Sequence, residues 1–334
     1  MSDNAVMVSG KAGTAPTLSV TDLHKHFKRR AGFLSRSPGV VYAVDSVSFS
    51  VGHGETLGLV GESGCGKSTV GRSILRLIEP TSGTVRLLDQ DITHVGVSEL
   101  RRLRRHMQMI FQDPFSSLNP RLSAGEIVAE PISTHQIASG QEKWDRVASL
   151  FERVGLRPDQ MGDFPSQFSG GQRQRIGIAR ALAAGPSLII GDEPVSALDV
   201  SIQAQVLNLL MDLQEQDKIS FLFIAHDLAV VRHISHRIAV MYLGRIVELA
   251  SKEALFASPQ HPYTEALLSA VPVPRAKARR RKKIILEGEI PSPMNPPAGC
   301  RFHTRCPYAQ AICKATSPEL REVSPSHWVS CHFR

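Results

Sequence analysis

One glycine-rich segment, residues 61–69, has the residue types and spacing that bind phosphate. Its sequence is Gly-Glu-Ser-Gly-Cys-Gly-Lys-Ser-Thr, which fits the pattern G-x-x-x-x-G-K-S. Glycines let successive backbone N–H groups point at phosphate oxygens, and a helix N-terminus adds the positive end of its dipole. The lysine would reach the β- and γ-phosphates, and the first serine after it would ligate Mg²⁺. The predicted nucleotide-binding residues are Gly61, Ser63, Gly64, Cys65, Gly66, Lys67, Ser68 and Thr69, with Ser68 on Mg²⁺.

The flanks of this segment predict the strand and the helix that such a loop needs. Residues 55–60 form a short apolar run, and Val70, Ile74 and Leu77 recur after the loop at helical spacing. The alternative is a glycine-rich turn with a chance lysine, which these flanks do not favour.

Two acidic residues, Asp192 and Glu193, directly follow another apolar run at residues 187–191. Ligands of parallel sheets bind at the carboxyl edge of the strands, so both acids would face the phosphate-binding segment. We expect Asp192 to hold Mg²⁺ through water and Glu193 to polarise the attacking water as a general base. Without the phosphate-binding segment, a pair of capping acids would be the simpler interpretation.

A second glycine-started helix is predicted at residues 168–172, Phe-Ser-Gly-Gly-Gln. A serine hydroxyl and glycine amides at a helix N-terminus are again suited to bind phosphate. One subunit needs only one phosphate-binding loop. This second phosphate-binding motif would be explained if it contacts the γ-phosphate of ATP that is bound by another subunit. Taken alone, the motif also fits a helix that simply begins with glycines.

Four cysteines near the C-terminal end have the spacing C-x5-C-x6-C-x17-C, and the fifth, Cys65, is interpreted as a small filler in the phosphate loop. In a cytosolic protein such thiols argue against disulfides. Four thiolates can hold Zn²⁺ or a [4Fe–4S] cluster. The spacing lacks the C-x2-C pairs of zinc ribbons, which favours the cluster, and unligated thiols are the third interpretation. The four residues are Cys300, Cys306, Cys313 and Cys331.

The formal net charge of +8 suits an anionic partner, which could be a nucleotide, a nucleic acid or an acidic membrane surface. Part of this excess lies in the basic run at residues 275–283, which we interpret as a solvated linker, with anionic lipid or nucleic acid as alternative partners.

No apolar run is long enough to span a bilayer. Residues 1–16 are small and polar, which predicts a disordered tail rather than a signal peptide and a protein that stays in the cytoplasm.

Strands that alternate with helices predict an α/β fold with a mostly parallel sheet and helices on its faces. A helical stretch at about 113–180 interrupts this alternation, which indicates an inserted subdomain. Prolines become frequent beyond residue 255. We therefore expect a tail at 1–16, a main domain at 17–255 and a C-terminal extension at 256–334.

Further motifs resemble those of the ATP-binding cassette (ABC) ATPases. Residues 168–172 resemble the family's signature sequence, with Phe in place of the more usual Leu. Tyr42 resembles the aromatic residue that stacks on adenine, Gln112 the Q-loop glutamine, residues 196–199 the D-loop and His226 the switch histidine. A lone histidine after a strand is more often structural. The resemblance covers seven motifs in family order.

The resemblance implies a P-loop ABC ATPase core with a mixed sheet, an inserted helical subdomain and a small Cys-rich C-terminal extension. It implies catalytic roles for Glu193, His226 and Gln112, with Gln112 also near Mg²⁺. It further implies a head-to-tail dimer in which each ATP lies between residues 61–69 of one subunit and the signature of the other. The partner-facing residues would be Ser169, Gly170, Gly171, Gln172 and, at the dimer interface, Asp199.

Two other stretches, residues 112–121 and 258–272, resemble the ATPases of dipeptide and oligopeptide importers, and similar tails in that family are associated with [4Fe–4S] clusters. This implies two ATPase subunits, often different, under two membrane permease subunits at the cytoplasmic face, with a substrate-binding protein outside. Nickel and some glycan importers share these features. A soluble ABC ATPase that acts on nucleic acid and an ABC exporter are the rival interpretations; we expect no direct contact with nucleic acid.

Overall fold

A computed structural model describes residues 15–29, 39–270 and 284–334. The predicted N-terminal tail, apart from its last two residues, and the basic run at 275–283 lie outside the described residues. In these three ranges the strands are β1 (Leu18–Arg29), β2 (Gly39–Val51), β3 (Thr56–Val60), β4 (Ser82–Leu87), β5 (Gln90–Asp91), β6 (Met107–Ile110), β7 (Leu188–Asp192), β8 (Ser220–Ala225), β9 (Arg237–Tyr242), β10 (Arg245–Ser251), β11 (Arg321–Ser324) and β12 (His327–Val329).

The α-helices connect these strands and cover their faces. Among the described residues, none of them is both long enough and apolar enough to cross a bilayer. They are α1 (Lys67–Ile74), α2 (Val97–Leu103), α3 (Ala124–Thr134), α4 (Gly140–Arg153), α5 (Gly170–Leu182), α6 (Val200–Asp217), α7 (Leu228–Ile234), α8 (Lys252–Ala257), α9 (Pro262–Ser269) and α10 (Ala311–Ala315).

The main sheet has eight strands in the order β11-β12-β10-β9-β3-β8-β7-β6. Strands β9, β3, β8, β7 and β6 run parallel, and every residue of β3, β7, β8 and β9 is buried. This is why their sequences are continuous apolar runs. Strands β9 and β10 form a hairpin that turns at Gly244, and their antiparallel pairing makes the sheet mixed.

A second, four-stranded antiparallel sheet has the order β2-β1-β4-β5. The pattern of the sequence does not show that β1, β2 and β4 leave the main sheet. Helix α1 lies between the two sheets, because Val70 and Ile74 belong to the same buried core as Leu18 of β1 and Leu57 of β3. The phosphate-binding segment therefore lies at the junction of the sheets.

The inserted helical region comprises α3, α4 and α5. Helix α3 ends at Thr134 and α4 begins at Gly140, so separate helices make up the predicted helical stretch. Helix α3 begins at a capping box in which Ser123 accepts from the backbone N–H of Glu126 and the Glu126 carboxylate accepts from that of Ser123.

The C-terminal segment is hydrogen-bonded to the main sheet, because β12 pairs with β10. The carboxylate of Glu248 on β10 is fully buried and accepts from the backbone N–H groups of Gln260 at 2.7 Å and His261 at 2.8 Å. It also lies 2.7 Å from Nε2 of His327 on β12. Burial lowers the pKa of His261 to about 4, although Glu248 opposes this shift. One buried acid thus joins two parts of the C-terminal segment, residues 260–261 and β12, to the core.

Candidate nucleotide site

The phosphate-binding segment is the tight turn between β3 and α1. Gly66 has φ of 109°, which favours glycine, and a Cβ there would lie 2.0 Å from the carbonyl oxygen of Ala43. A Cβ on Gly61 would lie 2.1 Å from the carbonyl oxygen of Met241. The loop therefore passes too close to the backbone of β2 and β9 for any side chain at these two positions.

Lys67 is directed back into this loop. Its side chain is buried, with 4% exposure. Its Nζ donates to the carbonyl oxygens of Gly61 at 2.7 Å and Glu62 at 3.0 Å. A buried ammonium held over a glycine-rich loop at a helix N-terminus is suited to bind the β- and γ-phosphates of a nucleotide.

Ser68 and Asp192 lie together although they are far apart in the sequence. The Ser68 hydroxyl donates to Oδ1 of Asp192 at 2.6 Å, and Asp192 is only 1% exposed. Nη2 of Arg72 lies 3.5 Å from Oδ2 of Asp192 and offsets its charge. A hydroxyl and a carboxylate side by side at the phosphate loop are the oxygen ligands that Mg²⁺ prefers. This pair fits the predicted metal role.

Glu193 is the centre of a second polar group. Its Oε2 accepts from Nε2 of Gln112 at 3.2 Å and lies 3.1 Å from Nδ1 of His226. Glu193 also has φ of 48°, a left-handed conformation that is uncommon outside glycine and that recurs at functional sites. Residues predicted from three separate motifs thus meet at one carboxylate oxygen.

One cavity of about 490 Å³ joins these two groups. Lys67 and Glu193 both line it, so a phosphate-binding cation and a carboxylate that could act as a base share one space. Pro293 also lines the cavity, and sequence reasoning missed it because no motif surrounds it. The lining consists of residues 63–64 and 66–69, Val41, Ala43, Gln112, Glu193, His226 and Pro293.

Tyr42 is not part of this lining, although its neighbours Val41 and Ala43 are. Its ring packs edge-on against His26 with the centroids 4.7 Å apart. Its backbone N–H donates to the carbonyl oxygen of Pro293 at 3.0 Å. Stacking of Tyr42 on adenine therefore stays a prediction.

The signature residues do not line the cavity of their own chain. Ser169 caps α5: its Oγ accepts from the backbone N–H of Gln172 at 3.3 Å, and the Gln172 side chain accepts from the Ser169 N–H at 2.9 Å. A Cβ on Gly171 would lie 2.5 Å from Ile202, so close packing against α6 requires this glycine. Asp199 is the N-cap residue of α6. A role for Ser169, Gly170, Gly171, Gln172 and Asp199 toward a partner's nucleotide stays a prediction.

All four C-terminal cysteines line a separate cavity of about 250 Å³. Burial is the main cause that raises the pKa of Cys300 to about 11. Four thiols around one cavity are a donor set that fits either Zn²⁺ or a [4Fe–4S] cluster.

Comparisons with known proteins identify the family. Residues 44–196 match the model described as ABC transporter, and residues 247–313 match that described as oligopeptide/dipeptide transporter, C-terminal region. The chain is 56% identical over 318 residues to the oligopeptide transport ATP-binding protein AppF of Bacillus subtilis, covering 95% of this chain and 97% of that protein. This chain belongs to the ATP-binding proteins of the oligopeptide/dipeptide ABC transporter family. It is also 54% identical over 318 residues to OppF of Salmonella typhimurium, covering 94% of this chain and 95% of that protein.

Solved structures of ABC ATPases agree with this assignment. The ATP-binding cassette MJ0796, in a dimeric post-hydrolysis state bound to ADP and Pi, is 30% identical with a TM-score of 0.63. The match covers 70% of this chain and 98% of that one. The predicted ABC ATPase fold is confirmed, and this family member is an ATPase.

Proposed function

We propose that this ATPase energises the import of dipeptides or oligopeptides across the cytoplasmic membrane. The observation that carries the proposal is the end-to-end similarity to oligopeptide transport ATP-binding proteins, which includes the C-terminal region typical of that family. In such an importer the cargo would be selected mostly by other subunits.

We propose that MgATP binds in the 490 Å³ cavity. Lys67 and the loop amides would hold the phosphates, and Ser68 and Asp192 would hold Mg²⁺, which supplies charge neutralisation between the β- and γ-phosphates. Glu193 would accept a proton from the attacking water. Gln112 and His226 support this role, because both contact Oε2 and so fix the direction of the carboxylate.

We propose that two ATPase subunits, which in this family are often different chains, close head-to-tail on ATP. The placement of the signature at the start of α5, outside its own chain's cavity, supports this arrangement. Free N–H groups at that helix N-terminus would face the γ-phosphate of the partner's nucleotide. Asp199 would lie at the same interface, so neither site would be complete in one chain.

The permease subunits would bind near the Q-loop, where the exposed aromatic residues Phe111 and Phe115 lie close to Gln112 in the sequence. Phe115 is 64% exposed, and the guanidinium of Arg173 lies 3.9 Å from its ring centroid. Phe111 is exposed as well. Large exposed apolar side chains next to Gln112 would link permease movement to the catalytic carboxylate. The chain would then lie at the cytoplasmic face of the membrane, with a substrate-binding protein on the other side.

We propose a [4Fe–4S] cluster in the 250 Å³ cavity, bound by Cys300, Cys306, Cys313 and Cys331. The four thiols around one cavity fit such a cluster, and their spacing in the sequence lacks the C-x2-C pairs of zinc ribbons. When bound, such a group would cross-link the segment at 300–313 to the end of β12 and stabilise a region with a small apolar core.

Replacing Cys300 by serine is expected to release the bound metal while the chain still binds nucleotide. The measurement is iron, sulphide and zinc content of protein purified without oxygen, together with its visible absorption. Cys65→Ala is the matched control, because it removes the one thiol outside the cavity and should leave the metal content unchanged. Wild-type protein that carries no metal would contradict the proposed cluster. One equivalent of zinc per chain would also contradict it and would identify the site as a zinc site.

Affinity purification of this chain from its host's membranes in mild detergent tests the proposed function. We expect two polytopic membrane proteins and a second cassette subunit to co-purify. The associated binding protein would then identify the cargo. Recovery of only soluble proteins with nucleic acid or ribosomes would overturn the transport proposal and leave the ATPase.

A further inference from the structure

The C-terminal segment contacts the phosphate loop directly through an ion pair between Arg305 and Glu62. Nη1 of Arg305 donates to Oε2 of Glu62 at 2.7 Å, and Nη2 donates to Oε1 at 3.2 Å. The pairing is bidentate, and the two side chains are only 7% and 25% exposed. Such a pair differs from a solvated surface ion pair, because a buried guanidinium without its partner is costly.

A second contact from the same segment reaches the main chain of Glu62. The backbone N–H of Glu62 donates to the hydroxyl of Tyr263 at 2.9 Å. Tyr263 is fully buried, and its ring packs against Tyr242 and Phe302 with centroid distances of 4.8 and 5.4 Å. The hydroxyl is therefore fixed by the aromatic cluster, so that both the N–H and the carboxylate of Glu62 are held from outside the loop.

The third polar group of Glu62 connects these contacts to the site. Its carbonyl oxygen accepts from Nζ of Lys67 at 3.0 Å. Any shift of this residue therefore shifts an acceptor of the lysine that we assign to the phosphates. The same C-terminal segment also reaches the other side of the cavity, where the Pro293 carbonyl oxygen accepts from the Tyr42 N–H at 3.0 Å.

Arg305 is itself held in a fixed position within the thiol-bearing segment. Its backbone N–H donates to the carbonyl oxygen of Phe302 at 3.0 Å. It directly precedes Cys306, and Phe302 belongs to the aromatic cluster around Tyr263. The guanidinium thus extends from an ordered turn toward the loop.

We propose that Arg305 is a positioning residue for the nucleotide site, which fixes the phosphate loop of its own subunit through Glu62. The inference rests on the ATP site proposed above and adds to it a dependence of MgATP affinity on the C-terminal segment. The residue does not touch the nucleotide. It acts through Glu62 on the loop and on Lys67.

The test compares Arg305→Met, Glu62→Gln and the double variant in equilibrium binding of a fluorescent ATP analogue with Mg²⁺. Methionine keeps much of the apolar volume of arginine and removes its charge. We expect affinity to fall about tenfold in Arg305→Met, within the range of mutations that act through a neighbour. The double variant should lose little more than either single variant, because both remove the same interaction. In ATPase assays, KM for ATP should rise while kcat changes less than about twofold.

Arg334→Met is the matched control, because Nη2 of Arg334 pairs with Glu265 at 3.1 Å in the same C-terminal part of the chain, without contact to the loop. It should leave the affinity unchanged, and thermal melting should show that each variant is folded. Three outcomes would each overturn the inference. They are an equal loss of MgATP affinity in Arg334→Met and Arg305→Met, additive losses of affinity in the double variant, and wild-type affinity in Arg305→Met. If Lys67→Ala also bound normally, the ATP site itself would be misassigned, which separates the two failures.

Discussion

Glu193→Gln is expected to reduce ATP turnover by about a thousandfold, the typical contribution of a positioned general base. Glutamine keeps the size of the side chain and can still accept hydrogen bonds from Gln112 and His226, which contact Oε2 at 3.2 and 3.1 Å. It cannot take a proton from water. ATP should therefore remain bound, and the closed dimer should accumulate. Single-turnover phosphate release and gel filtration with MgATP measure the two effects.

Asp227→Asn is the matched control for this variant. Asp227 is a nearby exposed acid whose Oδ1 accepts from the backbone N–H of Ala229 at 2.7 Å, and asparagine preserves this cap. Turnover should remain close to that of the wild type. A Glu193→Gln protein that hydrolyses ATP at the normal rate would remove Glu193 from the base role.

Lys67→Ala is expected to weaken MgATP binding by about ten- to a hundredfold, since one hydrogen bond to a charged group contributes about 1.5–3 kcal/mol. The buried Nζ also bonds the carbonyl oxygens of Gly61 and Glu62, so its loss leaves two loop acceptors without their donor. Both effects act on binding rather than on turnover at saturation. Titration calorimetry of the purified chain with MgATP measures the change.

The control for this prediction is Lys252→Ala, which removes a lysine that pairs with Glu253 at 4.0 Å on α8. Its affinity should equal that of the wild type. If Lys67→Ala bound MgATP as tightly as this control, the assignment of residues 61–69 to the phosphates would fail.

The sequence predicts the catalytic side of the cavity well because each of its residues lies in a local pattern. Lys67 follows a strand and a glycine-rich turn, and Glu193 follows an apolar strand that is parallel to the first. Parallel strands bring their carboxyl ends to one edge, so the meeting of these residues follows from topology. The contact of Gln112 and His226 with one oxygen of Glu193 adds geometry that spacing alone does not give.

The contribution of the C-terminal segment could not be predicted in the same way. Arg305 and Tyr263 contact Glu62 across separations of 243 and 201 residues. No periodic pattern indicates which surface such residues face, because turns and short helices carry little period. The second sheet was missed for a related reason. Alternation identifies a strand but not its partner.

The close approach of the phosphate loop to the backbone has a consequence for how this sequence can change over generations. The carbonyl oxygens of Met241 and Ala43 exclude side chains at Gly61 and Gly66 through contacts within the protein itself. A descendant that had lost its ATPase activity could therefore replace Glu193 and, at the cost of two loop hydrogen bonds, Lys67, and would still keep these two glycines. In a paralogue that has lost activity, conservation of the two glycines would therefore indicate only that the fold is retained. Conservation of the lysine and the glutamate would indicate that ATPase activity is retained.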